Sequence, residues 1–144
     1  MRDVELYRTI LGLRVPWTVA SVNLDVKGQQ VVVRVEAGAG PFPCPECETA
    51  APRYDSKPRR WRHLDTCQFT TWIEVEVPRV HCPSHGVRQI RIPWAEPGSQ
   101  FTALFERWAI DLLRECSVRG AAQLLRITWD EAWGIKERAV RRGL

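Results

Sequence analysis

The chain has 144 residues, a formal net charge of +4 and a hydrophobic content of 44%. This length fits one domain or two small ones, and the composition is that of a globular protein rather than a disordered chain. The charged start lacks a signal-peptide core, and no apolar run approaches the roughly 18 residues that span a bilayer. The sequence therefore predicts an intracellular protein without a membrane partner, and its mild positive charge favours a polyanionic partner without establishing one.

Alternating apolar residues predict β-structure through most of the first hundred residues. A short amphipathic helix is expected at residues 3–13, and Gly28 is expected to lie in a tight hairpin turn. The predicted strands lie at residues 17–27, 29–37, 59–65, 69–81 and 88–93. The prolines and glycine that follow predict a linker at residues 94–99.

After this linker the apolar residues recur at helical spacing. A first helix is predicted to end near Cys116, Ser117 can cap a second helix, and a third is expected at residues 129–142. Thr128 and Glu131 have the spacing of a reciprocal capping box at the start of this third helix. Three helices with a short turn before the last indicate a helix-turn-helix.

Two short clusters, each with a pair of metal-type ligands three positions apart, are the most distinctive motifs of the chain. Cys44 and Cys47 form the first, and Cys82 and His85 form the second. This spacing lets a knuckle turn direct both side chains at one tetrahedral Zn²⁺, and four protein ligands make a closed, structural site. The five cysteines are an odd number, which in a reducing compartment favours metal ligands or core thiols over disulfides.

The sequence alone does not decide which residue is the fourth ligand. His81, His63 or Cys67 could substitute for His85, although Cys67 better fits a core thiol. Cys116 is also expected in the core. The alternative interpretation is a set of reduced, buried cysteines with a surface histidine, and the two matched knuckles favour the metal. Because a small sheet buries little apolar surface, zinc would supply folding free energy on the order of 10 kcal/mol.

These elements predict an α+β chain with two domains. Residues 1–100 would form a small zinc-ribbon-like antiparallel β domain, and residues 101–144 a three-helix helix-turn-helix domain. In such a domain the start of the third helix faces base edges, and the more distal arginines hold phosphates. The residues expected at the DNA are Arg119, Arg126, Thr128, Trp129, Asp130, Trp133, Lys136, Arg138, Arg141 and Arg142. The alternative is a generic three-helix packing unit, since the charge of the third helix is mixed.

Arg59, Arg60 and Arg62 form a second basic strip on a predicted strand. Such a strip either follows a phosphate backbone or is a solvated strand face, and composition does not decide between the two. We therefore include these three residues among the expected DNA contacts.

Several stretches of the chain carry a family resemblance. Residues 61–69 and 77–87 resemble the zinc-binding N-terminal region of ISL3-family bacterial insertion-sequence transposases. Residues 127–133 and 137–144 are similar to the helix-turn-helix that follows this region in the family. The resemblance covers residues 40–144.

This resemblance implies a role in DNA recognition. The family's zinc pairs correspond to Cys44, Cys47, Cys82 and His85, and its two modules are taken to recognise the terminal inverted repeats of the element. The family's RNase H-like catalytic domain, with its metal-binding acidic triad, would begin after Leu144. No residue of this chain is therefore assigned to the triad, and the chain by itself is expected not to be an enzyme.

We expect a cytoplasmic, nucleoid-associated bacterial protein that binds double-stranded DNA and has no small-molecule substrate, with a homodimer left open. One alternative is a truncated transposase product that acts as a DNA-binding repressor. Another is a zinc-stabilised protein-interaction module. The reading frame beyond Leu144 would separate a repressor from a fragment, and duplex binding would separate both from an interaction module.

Overall fold

The computed structural model describes residues 2–143 and has the predicted α+β composition. Helix α1 spans Asp3–Leu11. The strands are β1 (Thr18–Asp25), β2 (Gln30–Glu36), β3 (Phe42–Pro43), β4 (Ala50–Ala51), β5 (Arg53–Thr66), β6 (Phe69–Cys82) and β7 (Gly86–Gln89). The later helices are α2 (Ala103–Glu115), α3 (Val118–Leu125) and α4 (Trp129–Arg141). Contacts within the chain define unit 1, which ends at Thr102, and unit 2, which begins at Ala103.

Strand β6 is the centre of the five-stranded sheet in unit 1. It pairs antiparallel with β5 and β7 and parallel with β2, whose other edge pairs antiparallel with β1. The sheet is therefore mostly antiparallel, as predicted, and the parallel pairing of β2 with β6 is the departure from that prediction. Residues 37–52 carry the chain from the end of β2 to the start of β5, so that β6 returns beside β2 in the same direction. Alternation reports which face of a strand is buried, and it carries no information on strand direction.

One face of this sheet carries the core of unit 1. The buried side chains that alternate along β2 and β6 are Val31, Val33, Val35, Ile73, Val75 and Val77. Trp72, Glu74 and Glu76 lie on the opposite face, as the period of two requires. The predicted strand 88–93 is placed too late, since β7 ends at Gln89.

Residues 94–99 complete this core and do not form the predicted linker. Trp94 is 3% exposed and meets Trp17 and Trp61 edge to face, with ring centroids 4.9 and 5.3 Å away. The carbonyl of Ser99 accepts a hydrogen bond from Nε1 of Trp61 at 3.0 Å. Proline and glycine indicate a break in regular structure, but the burial of a large aromatic ring decides where the segment lies.

In unit 2, small side chains allow the helices to pack closely. The buried residues are Phe105, Glu106, Ala109, Ala121, Ala122, Leu125, Ala132, Ile135 and Ala139. Both predicted caps are confirmed. Ser117 Oγ accepts from the amide of Gly120 at 3.0 Å, and Thr128 and Glu131 form the capping box with bonds of 3.1 and 2.9 Å. No helix within residues 2–143 is both long and apolar enough to cross a membrane.

His63 gives unit 1 a predictable pH dependence. The residue is 2% exposed, its Nδ1 lies 2.7 Å from Oγ1 of Thr102, and burial lowers its pKa to about 4. The unfolded chain binds this proton near pH 6.5 and the folded chain does so only near pH 4. We therefore expect the free energy of unfolding to fall by up to about 3 kcal/mol as the pH drops through this window.

Above pH 6.5 His63 is neutral in both states and the free energy of unfolding has its full value. Below about pH 4 both states bind the proton, and His63 causes no further loss. Denaturant titrations across the window measure it. His63→Gln keeps a polar group for Thr102 and should remove this part of the slope, whereas identical slopes for the two proteins would contradict the assignment.

A buried ion pair fastens α4 to α2 within unit 2. The Glu106 side chain is 3% exposed and accepts a hydrogen bond from Nε of Arg138 at 3.0 Å. Glu106→Gln removes the charge opposite Arg138, and we expect a loss of about 3 kcal/mol because breaking a buried pair costs that much. Asp111→Asn is the control, because the pair of Asp111 with Arg114 is exposed on both sides and should be worth less than about 1 kcal/mol. Equal losses in denaturant unfolding would contradict the role of Glu106.

Candidate metal centre and nucleic-acid interface

The candidate metal centre lies where two turns meet beside the end of β6. Cys44 follows β3, and Cys47 lies in the turn between β3 and β4. Cys82 is the last residue of β6, and His85 lies in the turn that leads into β7. Gly86 follows with a φ of 74°, a left-handed conformation that glycine adopts without steric cost and that turns the chain back along β6. Because β6 ends at Cys82, this strand places the second ligand pair next to the first.

The four ligand atoms of these residues converge. They all lie within 4.8 Å of one another. Cys47 Sγ is 3.6 Å from Cys82 Sγ, and His85 Nδ1 is 3.8 Å from Cys44 Sγ and 3.6 Å from Cys82 Sγ. Sulfur and nitrogen ligands of one tetrahedral Zn²⁺ stand about 3.6–3.8 Å apart, given bond lengths of about 2.3 and 2.0 Å. The donor set and its spacing therefore fit Zn²⁺.

The local environment shifts the thiol pKa values of Cys47 and Cys82 in opposite directions. The pKa of Cys47 is lowered to about 6, mainly by a hydrogen bond from the side chain of Thr49 and secondly by one from its backbone. The amide of Ser84 lowers the pKa of Cys82, but desolvation and the neighbouring thiols outweigh this effect, and the pKa of Cys82 is raised overall. Because zinc binds the thiolate, Cys47 is the readier of these two ligands near neutral pH.

The three alternative ligands lie elsewhere. His63 bonds to Thr102 in the core, and His81 is exposed with its ring 6.3 Å from that of Tyr54. Cys67 is exposed in the turn between β5 and β6 with a φ of 50°. The prediction that Cys67 is a core thiol is therefore wrong, because the hairpin turn places its side chain in solvent. Cys116, also predicted in the core, is only partly buried.

Sequence reasoning missed Glu46 as part of the metal centre. Its Oε2 lies 3.5 Å from Nε2 of His85, and its Oε1 accepts a hydrogen bond from Nε of Arg88 at 3.2 Å. The only signal in the sequence is that Glu46 lies between the first two cysteines, inside the knuckle.

In unit 2, helix α4 presents an ordered aromatic surface near its start. Trp129 and Trp133 are 50% and 39% exposed, and their rings stack at 5.4 Å with an angle of 7° between the planes. Nζ of Lys136 lies 5.3 Å from the Trp133 ring, and Nε1 of Trp133 donates to Glu137 at 2.8 Å. The spacing of four residues places both indoles on one side of the helix. Contacts along α4 therefore fix the orientation of this pair.

Most of the other residues expected at the DNA are exposed in unit 2. They are Arg119, Arg126, Thr128, Asp130, Lys136, Arg141 and Arg142. Arg126 has a φ of 58° and ends α3, and the hydroxyl of Thr128 caps α4. Arg138 differs from these residues because its guanidinium bonds to the buried Glu106. Its side chain therefore connects two helices of the unit.

The basic strip predicted on β5 is not one surface. The guanidinium of Arg60 lies 4.0 Å from the Trp72 ring, on the sheet face opposite the core. Arg59 lies over Trp61, at 4.7 Å from its ring, on the other face. Arg62 is 6% exposed and is not accessible to a phosphate backbone. Strand alternation therefore separates Arg59 from Arg60, and the prediction of a continuous strip is wrong.

Known protein families match both parts of the chain. The zinc finger of transposases IS204/IS1001/IS1096/IS1165 matches residues 40–85, and the helix-turn-helix domain of transposase family ISL3 matches residues 90–140. The transposases for insertion sequence element IS1557 of Mycobacterium tuberculosis strains CDC 1551 / Oshkosh and ATCC 25618 / H37Rv are each 31% identical over 136 residues. This alignment covers 90% of the chain but only 31% of the length of these curated relatives. No solved structure shows a significant match.

A zinc finger followed by a helix-turn-helix defines the DNA-binding part of a transposase. The chain belongs to the ISL3 transposase family and carries its N-terminal region, which confirms the resemblance seen in the sequence. Structural zinc is supported by two independent observations: the zinc-finger match and the convergence of the four candidate ligands.

Proposed function

We propose that this chain recognises the terminal inverted repeats of an insertion sequence as double-stranded DNA. The observation that carries the proposal is the exposed start of α4, which is capped and follows a short turn, in the part of the chain that matches the family's helix-turn-helix. A helix presented in this way enters the major groove with its first turns against the bases. We place this activity in the bacterial cytoplasm, at the nucleoid.

The residues of α4 divide into two roles in this proposal. Trp129, Asp130 and Trp133 face the base edges, where an aspartate accepts from cytosine and apolar side chains contact the methyl group of thymine. Basic side chains hold the phosphates and fix the register of the helix. The phosphate contacts are Arg119, Arg126, Lys136, Arg141 and Arg142. Arg138, which the sequence predicts at the DNA, bonds to Glu106 and holds α4 against α2.

The zinc-binding domain, residues 1–100, serves as scaffold in this proposal, and the domain at residues 101–144 is a three-helix reader. Cys44, Cys47, Cys82 and His85 are the zinc ligands. Four protein ligands leave no coordination position for water, so this zinc stabilises the fold and activates no nucleophile. The catalytic step of a whole transposase would belong to residues outside this region.

Fluorescence anisotropy with two duplexes of equal composition tests the proposal. One duplex carries the terminal inverted repeat of the element that encodes this chain, and the other is a scrambled version. We expect the repeat to bind at least about a thousandfold more tightly, and the affinity to fall steeply with salt because phosphate contacts release counterions. Equal affinity for the two duplexes would refute end recognition.

The exposed indoles favour a second candidate, a protein-interaction module that dimerises through α4. Val140, on the same helix, is 62% exposed and adds apolar surface. Sedimentation velocity of the wild type and Trp133→Ala separates the two functions. A dimer that Trp133→Ala dissociates, without any loss of duplex binding, would favour the interaction module.

A further inference from the structure

The two ring nitrogens of His85 face different partners. Nδ1 points into the cluster, 3.6 Å from Cys82 Sγ and 3.8 Å from Cys44 Sγ. Nε2 lies on the side of Glu46, at an ion-pair distance of 3.5 Å from Oε2 of its carboxylate. The side chain of His85 is 32% exposed, so solvent reaches part of the ring. The two nitrogens differ because each has its own neighbours.

A neutral imidazole that binds a metal must use the nitrogen without a proton. The proton then lies on the other nitrogen, and a carboxylate that accepts it fixes both the tautomer and the orientation of the ring. Glu46 is the described residue whose carboxylate faces Nε2 of His85.

The position of Glu46 makes this contact a link between the two knuckles. Glu46 lies between Cys44 and Cys47 in the first knuckle, whereas His85 belongs to the second. Its other carboxylate oxygen accepts from Nε of Arg88 on β7, which restricts the rotamer of the glutamate. The carboxylate is therefore held from both sides.

We propose that Glu46 is a positioning residue that keeps His85 in the Nε2–H tautomer, with Nδ1 directed at the zinc. This inference rests on the proposed zinc site and goes beyond it, because it assigns the ligand atom of His85 and a residue that selects it. Glu48 in the same turn offers the contrast. Its backbone amide donates to the carbonyl of Cys44 at 2.8 Å, a bond that alanine keeps, whereas its side chain is 79% exposed and lies 4.0 Å from Arg91.

Three variants separate positioning from a general effect of charge: Glu46→Ala, Glu46→Gln and Glu48→Ala. Zinc affinity is measured by competition with a chromophoric chelator on the whole chain. We expect Glu46→Ala to bind zinc about 10- to 100-fold more weakly, the usual loss for an outer partner of a metal-bound histidine. Glu46→Gln keeps an acceptor oxygen and should recover most of the affinity, and Glu48→Ala should bind like the wild type.

A second measurement reports the tautomer itself. Long-range ¹H–¹⁵N correlation of the ¹¹³Cd-loaded protein should show the metal coupled to Nδ1 of His85 and the proton on Nε2. In Glu46→Ala this Nε2 proton should exchange faster with water. Coupling to Nε2, or equal affinities for Glu46→Ala and Glu48→Ala, would overturn the role of Glu46. A wild type that binds no zinc would instead overturn the zinc site and this inference together.

Discussion

Replacing Cys82 with serine is expected to strip the zinc from the chain and to unfold both knuckles while the core of the sheet survives. Cys82 is 2% exposed, and its Sγ lies 3.6 Å from both Cys47 Sγ and His85 Nδ1. Its loss leaves three ligands that no longer close the site. At free zinc a thousand times the dissociation constant, the lost binding amounts to about 4 kcal/mol of stability.

The core should persist because it does not depend on the metal. Val33, Ile73 and Val77 are each 0% exposed in a continuous apolar cluster. The expectation that this sheet buries little apolar surface is therefore wrong, and zinc acts locally on the turns. Amide exchange should accordingly rise in β3, β4 and β7 and stay slow in β2 and β6.

Cys67→Ser is the matched control for this experiment. It removes one thiol from an exposed turn outside the cluster and should keep one zinc per chain and an unchanged melting temperature. Zinc content by elemental analysis and thermal unfolding measure both variants. Retention of zinc by Cys82→Ser, or its loss from Cys67→Ser, would contradict the assignment of ligands.

The double variant Lys136→Ala, Arg141→Ala is expected to weaken binding to repeat and scrambled duplexes alike. Both residues are exposed on α4, beyond the turns proposed to face the bases. Each lost phosphate contact should reduce the slope of log K against log salt by about 1, so we expect a total reduction of about 2. Anisotropy titrations at four or more salt concentrations give this slope.

A control that removes the same charge tests whether position matters. Arg107→Ala, Arg114→Ala takes two exposed arginines from α2, and we expect the slope to change little because α2 precedes the two helices of the motif. Equal changes in slope for the two double variants would mean that net charge, and not the surface of α4, governs binding.

Local chemistry explains why several features could be predicted from the sequence. The capping box at Thr128 and Glu131 depends on residues three apart, and the hairpin at Gly28 on a few consecutive positions. The alternation in β6 reports burial directly, because one face of the strand lies on the core. The ligand pairs were predictable because a knuckle fixes their spacing within each turn.

Features that depend on distant partners could not be predicted. Arg62 and Arg60 look alike in the sequence, but only the packing of residues 100–102 against β5 shows that the Arg62 region is covered. The role of Arg138 depends on Glu106, which is 32 residues away on another helix. The parallel pairing of β2 with β6 is likewise a long-range choice, which alternation does not encode.

The central position of β6 also determines the order of events during synthesis. The hairpin of β1 and β2 leaves the ribosome early, but the free edge of β2 must wait 40 residues, from Gln30 to Thr70, for its parallel neighbour. The thiols of Cys44 and Cys47 likewise emerge before their partner ligands, since Cys47 precedes Cys82 by 35 residues. An open strand edge invites aggregation, and unligated thiols invite oxidation. Translation of β6 and of the turn that carries His85 therefore ends both hazards in the nascent chain.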